Sequence, residues 1–201
     1  MNTIKIWNDS PSPKQVADIA NCIREGMLVV MPTDTMYGVM ADALNQKAVE
    51  RVCRLKGINP DKTNLSIICS DISMAAEYAR VDNKGFKLLK ENTPGAFTFL
   101  FKTTSNLPRA FKGRKTVGIR IPDSQVCREV AEYLGTPMIT TSIVYEDEDH
   151  AVNPELIAET YYNSAELMVE GDDGSLEKST IVDCTTDDIE IVRQGKGELK
   201  V

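Results

Sequence analysis

The sequence predicts an α/β layer fold with an open, mostly buried sheet. Two observations favour it. Short apolar segments rich in β-branched residues alternate along the chain with segments that have helical periodicity. The chain is also long enough, at 201 residues with 42% hydrophobic residues, to bury a core without disulfides or metal ions.

The predicted helices carry apolar residues at spacings of three and four on one face. The first, residues 14–25, begins after a Pro-Ser-Pro turn and ends at Gly26, because proline suits a helix start and glycine a helix end. The other helical segments are 46–55, 73–78, 84–91, 127–134 and 154–162.

The predicted strands are short apolar runs bounded by turn residues. They are 27–31, 37–43, 65–69, 97–102, 116–121, 138–144, 167–169, 180–184 and 189–192. Of these nine candidate segments we expect about seven or eight to form strands, together with five or six helices, in a single domain that spans residues 1–201. The sequence has no internal repeat and no linker between these segments.

Charge is unevenly distributed along the chain. The formal net charge is −7, but residues 1–145 carry +5 and residues 146–190 carry −14. Residues 1–145 can still form a basic cleft that binds phosphates, because the electric field in a cleft depends on nearby charges and not on the net charge of the protein. The acidic block argues against an extended nucleic-acid surface. With no apolar run of membrane length and no export signal, we expect a cytoplasmic protein.

Cysteine and histidine usage restricts the possible chemistry. The five cysteines form no C-x-x-C pair, so we expect reduced thiols rather than a disulfide framework or a zinc site. His150, the only histidine, lies in an acidic run, which disfavours a Ser-His-Asp or Cys-His triad. We therefore expect no metal held by histidine or cysteine, and chemistry that uses lysine, arginine, hydroxyl groups and Mg²⁺ brought by a substrate.

Candidate ligand groups lie at the ends of predicted strands. The polar segment 32–38 is either a ligand loop or a well-capped turn. Lys56, beside Gly57, suits either a phosphate or an exposed helix end. Arg120 lies in an isoleucine-rich strand and needs an anionic partner, from the protein or from a ligand, if it is buried. No Walker or dinucleotide-binding glycine motif is present.

Seven motifs follow one another in a specific order: PTDTMYG, LKG, TPGAFTF, GIRIP, TTS, STIVD and VRQG. Together they resemble the YrdC family of threonylcarbamoyladenylate synthases, in its YciO-like branch, over residues 27–197. The resemblance implies a twisted open mixed sheet with helices on both faces and a positively charged cleft. It also implies a nucleotidyltransferase that joins L-threonine, bicarbonate and ATP into threonylcarbamoyladenylate, for the threonylcarbamoyladenosine modification of tRNA.

The resemblance assigns roles to seven residues. Those implied to bind threonine are Thr35, Arg120 and Ser179. Those implied to bind the nucleotide are Lys56, Thr98, Ser142 and Arg193. Lys56 is also the implied catalytic residue, because its charge would offset that of the departing pyrophosphate. ATP enters as a substrate with Mg²⁺.

Two positions depart from the family pattern. Ile58 stands where the family has an arginine, and Val144 where it has an asparagine. Lys62 or Arg54 could supply the missing charge. Two alternatives to the synthase therefore remain open: a YciO-like paralogue that acts on a different adenylate, and a double-stranded RNA or tRNA-binding module without synthase activity. The charged segment 145–153 is a candidate lid.

Overall fold

A ten-stranded sheet runs through the structure, a computed structural model that describes residues 1–113 and 115–200. The strand order is β1-β8-β2-β3-β7-β4-β6-β5-β9-β10. The strands are β1 (Asn2–Lys5), β2 (Val29–Met31), β3 (Gly38–Asp42), β4 (Ser66–Ile68), β5 (Phe97–Lys102), β6 (Thr116–Arg120), β7 (Met138–Ser142), β8 (Leu167–Glu170), β9 (Thr180–Asp183) and β10 (Glu190–Arg193).

The sheet is mixed, as predicted. Pairs β1–β8, β2–β8, β4–β6 and β5–β9 are parallel, and the other neighbouring pairs are antiparallel. Because β3, β7, β4 and β6 are consecutive neighbours, residues far apart in sequence come together across the middle of the sheet.

Helices are attached to the strands through short capped connections. They are α1 (Pro13–Arg24), α2 (Gln46–Lys56), α3 (Ile72–Tyr78), α4 (Asn83–Asn92), α5 (Gln125–Leu134), α6 (Asp149–Val152) and α7 (Pro154–Tyr161), with a 3₁₀ turn at Arg109–Phe111. Ser12 and Gln15 form a capping box at the start of α1, and Asn45 caps α2. Helix α2 ends where Gly57 adopts a left-handed conformation, with φ of 68°.

Helices cover both faces of the sheet, which confirms that prediction. On one face, the apolar sides of α1 and α5 pack on residues such as Met31, Met40 and Ile68. On the other face, α2, α3, α4 and α7 pack on residues such as Val39 and Ile119. Alternate residues of one strand enter opposite cores because side chains in a strand alternate between the faces.

The predicted strand number, seven or eight, was too low. Strand β1 had no prediction, because it is a four-residue edge strand with mostly exposed residues and no apolar run. The short closing segments all form strands, even β10, whose residues are exposed. Segment 145–153, the candidate lid, contains the short helix α6.

Three further features bear on the sequence predictions. All five cysteines are free thiols. Within residues 1–113 and 115–200, no helix is long and apolar enough to cross a membrane. The same residues contain no group of three or more histidine, cysteine, aspartate or glutamate side chains placed to hold a metal ion.

Gly118 leaves room for the side chains of Ser66 and Thr98 on the two neighbouring strands, and this predicts a steric cost for a larger residue. A Cβ there would lie 2.5 Å from Ser66 Oγ and 2.8 Å from Thr98 Cγ2. We expect Gly118→Ala to lower the free energy of unfolding by about 2 to 3 kcal/mol through overpacking. Gly57→Ala, which meets no atom within 4 Å, should cost only about 1 kcal/mol from its left-handed backbone. Urea unfolding compares the two, and an equal or smaller loss for Gly118→Ala would contradict the prediction.

Candidate functional site

One cavity of about 240 Å³ is lined by all seven residues to which the family resemblance assigns a role. They are Thr35, Lys56, Thr98, Arg120, Ser142, Ser179 and Arg193. Four of them are the last residues of their elements: α2, β6, β7 and β10. Three of these, Arg120, Ser142 and Arg193, end strands, and Lys56 ends a helix.

The polar loop between β2 and β3 is both a capped turn and part of the cavity wall. Thr33 Oγ1 accepts a hydrogen bond from the Thr35 amide (3.0 Å) and donates to the Met36 carbonyl (2.7 Å). The fully buried Tyr37 anchors the loop, since its hydroxyl donates to the Asp172 carbonyl and accepts from the Gly171 amide, both at 3.0 Å. Burial raises the pKa of Tyr37 to about 12, so this anchor stays neutral.

Arg120 is buried, as predicted, and its anionic partner is Asp34. Arg120 Nη2 donates to Asp34 Oδ1 at 2.8 Å and to Thr35 Oγ1 at 3.1 Å, and the two charged side chains are only 10% and 6% exposed. The Arg120 Nε atom is buried without a hydrogen-bond partner among the described residues. A buried donor without a partner is costly, so this N–H is an uncompensated donor in the wall of the site.

A second polar group joins β5, β9 and β10. Thr98 Oγ1 and Ser179 Oγ share a hydrogen bond of 2.8 Å. Arg193 donates to the Ser179 carbonyl from Nε at 3.2 Å and from Nη2 at 2.7 Å. Partial burial and the charge of Arg120 lower the pKa of Arg193, so an anion near these two guanidinium groups would be favoured.

Lys56 points into the cavity rather than into solvent. Its ammonium group donates to the carbonyls of Ser142 (2.8 Å) and Ile143 (3.2 Å), and to Ser142 Oγ at 3.3 Å. Burial, together with the charge of Lys178, lowers the pKa of Lys56 below its ordinary value. An anion would offset both effects, which favours the phosphate interpretation of this lysine over that of an exposed helix end.

The described residues that line the cavity include four cationic side chains and no carboxylate. Asp34, the partner of Arg120, does not line it. Lys196 Nζ holds the same loop by donating to the Asp34 carbonyl at 2.8 Å. The cavity is therefore locally basic in an acidic protein, as the uneven charge distribution predicted.

The two departures from the family pattern lie in different environments. Ile58 lines the cavity. Val144 does not: it is 50% exposed, and its amide donates to the Tyr161 hydroxyl at 2.6 Å. Neither Lys62 nor Arg54 lines the cavity, so neither is placed there to replace the missing arginine.

Sequence reasoning missed several residues of the wall. Lys178 lines the cavity, as do Thr63, Asn64 and Ser66 at the start of β4. For Lys178 a signal existed, because it directly precedes the STIVD motif. The polar residues before β4 had no comparable signal, since they enter the site only through the pairing of β4 with β6 and β7.

The buried ion pair predicts a large effect of losing one partner. Asp34→Ala leaves the Arg120 charge without its carboxylate and should lower the free energy of unfolding by about 3 kcal/mol. Asp123→Ala is the matched control, because Asp123 pairs with Arg128 at 3.6 Å and its side chain is 75% exposed. That change should cost less than about 1 kcal/mol. Similar losses for the two variants in denaturant titrations would contradict this description of the pair.

Comparison with known proteins gives one family. The family model Sua5_yciO_yrdC, described as "Telomere recombination", matches residues 21–195. The uncharacterized protein YciO of Escherichia coli K12 is 33% identical over 198 residues, which cover 97% of this chain and 96% of that protein. A putative threonylcarbamoyl-AMP synthase of Methanocaldococcus jannaschii is 29% identical over 195 residues, covering 96% of this chain and 92% of that one.

A solved structure extends the comparison. The crystal structure of P. abyssi Sua5 complexed with L-threonine superimposes with a TM-score of 0.87 at 26% identity, covering 97% of this chain and 58% of that chain. The family model spans most of the sequence, and the E. coli relative passes 30% identity over nearly the whole chain. The chain therefore belongs to the Sua5/YciO/YrdC family.

Proposed function

We propose that this protein is a nucleotidyltransferase that makes threonylcarbamoyladenylate from L-threonine, bicarbonate and ATP, in the cytoplasm, for the modification of tRNA. One observation carries the proposal: the seven residues carried over from the family motifs line a single basic cavity. The L-threonine complex of P. abyssi Sua5 and the synthase name of the M. jannaschii relative support the substrate and the reaction.

The buried side of the cavity is assigned to threonine. The Arg120 Nε–H would donate to the amino-acid carboxylate, because Nη2 of the same group is already engaged by Asp34 and Thr35. Thr35 and Ser179 offer hydroxyl groups to the rest of the amino acid. A rigid guanidinium group fixed on the far side by a carboxylate holds its ligand in one orientation.

The Lys56 side is assigned to Mg²⁺-bound ATP. The threonine amine and bicarbonate give the carbamate and water. A carbamate oxygen then forms a bond to the α-phosphorus, and the bond from that phosphorus to the bridging oxygen breaks, so its electron pair leaves with pyrophosphate. Lys56 would offset the charge of the leaving group, while Ser142, Thr98 and Arg193 hold the nucleotide. No step requires a histidine.

A second candidate function is the formation or hydrolysis of a different adenylate in the same cavity. Ile58 favours it, because an apolar side chain lines the wall where the family pattern has an arginine. The threonine-side residues and Lys56 are compatible with either reaction. The identity of the acyl or carbamoyl substrate distinguishes the two.

Pyrophosphate release tests the proposal. Purified protein with ATP, Mg²⁺ and bicarbonate should release pyrophosphate when L-threonine is present and not when it is omitted. Lys56→Met should reduce the rate by about 100-fold, the loss expected for one charge-stabilising group. Lys47→Met, an exposed lysine on the same helix, is the control and should leave the rate unchanged.

The double variant Ile58→Arg, Val144→Asn separates the two candidate functions. Threonine-dependent release by the wild-type protein supports the synthase. If only the double variant releases pyrophosphate, the synthase proposal is overturned in favour of another adenylate. If neither protein does so but the wild type binds tRNA or duplex RNA with a salt-dependent affinity, the RNA-binding alternative replaces it.

A further inference from the structure

Lys178 is a cation of the cavity wall that none of the family motifs includes. It belongs to the acidic block 146–190, where it is the single basic residue among 15 carboxylates. It nevertheless lines the same cavity as Lys56 and Ile58.

The backbone of Lys178 is held in place by the C-terminal segment. The Lys178 carbonyl accepts a hydrogen bond from the Lys196 amide at 2.9 Å. The next carbonyl, of Ser179, accepts from the Arg193 guanidinium group. Gly195 packs so tightly on this stretch that a Cβ there would lie 2.2 Å from the Lys178 carbonyl oxygen. The base of the lysine side chain is therefore fixed at the rim of the cavity.

The ammonium group itself has no protein partner in the part of the chain that the structure describes. No hydrogen bond or ion pair of the Lys178 side chain exists among residues 1–113 and 115–200, although carboxylates surround it in the sequence. It is close enough to Lys56 for its charge to lower the pKa of that residue. Two like charges in one cavity repel each other, and an anion with several negative charges placed between them removes that cost.

Ile58 leaves the part of the cavity beside Lys56 with one cation fewer than the family pattern has. Its apolar side chain lines the cavity and leaves Lys56 without the neighbouring arginine of the family pattern. A single lysine balances little of the charge of a triphosphate. Lys178 lies two residues before β9, whereas Lys56 is the last residue of α2, so the two cations reach the cavity from different elements.

We propose that Lys178 and Lys56 together bind the β- and γ-phosphates of a nucleoside triphosphate, with Lys178 replacing the cation absent at position 58. The inference rests on the proposed function for the identity of the ligand. Lys178 acts on ligands that carry a pyrophosphate group and has little effect on the binding of a nucleoside monophosphate or of threonine.

Calorimetric titration of Lys178→Gln tests this selectivity. The affinity for Mg²⁺-ATP and for Mg²⁺-pyrophosphate should fall by about tenfold, the loss of one charge-assisted hydrogen bond. The affinities for AMP and L-threonine should change by less than about twofold, since neither contacts the site. Lys87→Gln removes an exposed lysine that does not line the cavity and should change none of these values.

A second variant excludes a purely structural effect. Adding Ile58→Arg to Lys178→Gln returns a cation to the same cavity and should restore most of the lost affinity for ATP and pyrophosphate. Equal ATP affinity of wild type and Lys178→Gln would overturn the inference. So would an equal loss of AMP and ATP affinity, or the absence of any rescue by Ile58→Arg.

The outcomes distinguish this inference from the proposed function. Threonine-dependent pyrophosphate release by the wild type, with unchanged ATP affinity in Lys178→Gln, would overturn the inference and leave the synthase standing. Loss of ATP and pyrophosphate affinity in that variant, in a protein that releases no pyrophosphate with threonine, would support the phosphate site and overturn the synthase. A wild type that binds neither ATP nor pyrophosphate overturns both.

Discussion

The buried ion pair between Arg120 and Asp34 is the contact on which the rest of the site depends. A guanidinium group at the end of a central strand is costly to bury, and the carboxylate of the β2–β3 loop offsets that cost at 2.8 Å. Asp34 also accepts from the Asp123 amide, and its carbonyl accepts from Lys196. Asp34 thus joins the β2–β3 loop to two other chain segments, residues 120–123 and Lys196. One buried N–H of Arg120 has no hydrogen-bond partner among the described residues, and in the proposed function it donates to the threonine carboxylate.

The distribution of charge follows from the same arrangement. The protein carries a net charge of −7, yet the described lining of the cavity contains four cations and no carboxylate. Three of these cations are tied by hydrogen bonds to protein groups, whereas the Lys178 side chain has no such partner among residues 1–113 and 115–200. Fixed donors orient a ligand before it reacts, whereas a solvated lysine adds positive charge beside the part of the ligand that carries the most negative charge.

Most of the fold was predictable from periodicity and turn residues, because the helices have marked caps and the central strands are continuous apolar runs. Strand β1 was not, since an exposed edge strand has no apolar signature.

In the site, Arg120 stood out as a charge within an apolar strand. Motif order then identified six further positions that line the same cavity. Two features of the site depend on strand order and loop packing, which local sequence does not determine. These are the pairing of Arg120 with Asp34 and the position of Lys178 in the cavity wall. The same reason explains why Ile58 and Val144 looked equivalent in sequence although only Ile58 lines the cavity.

The most direct test of the central claim, that one basic cavity binds both threonine and a nucleotide, is a crystal structure with L-threonine and a non-hydrolysable ATP analogue. The threonine carboxylate should lie within hydrogen-bonding distance of Arg120 Nε, and the triphosphate should extend along the side of the cavity formed by Lys56 and Lys178. The Arg120–Asp34 pair should be unchanged. A nucleotide bound outside this cavity, or a threonine that does not contact Arg120, would contradict the claim.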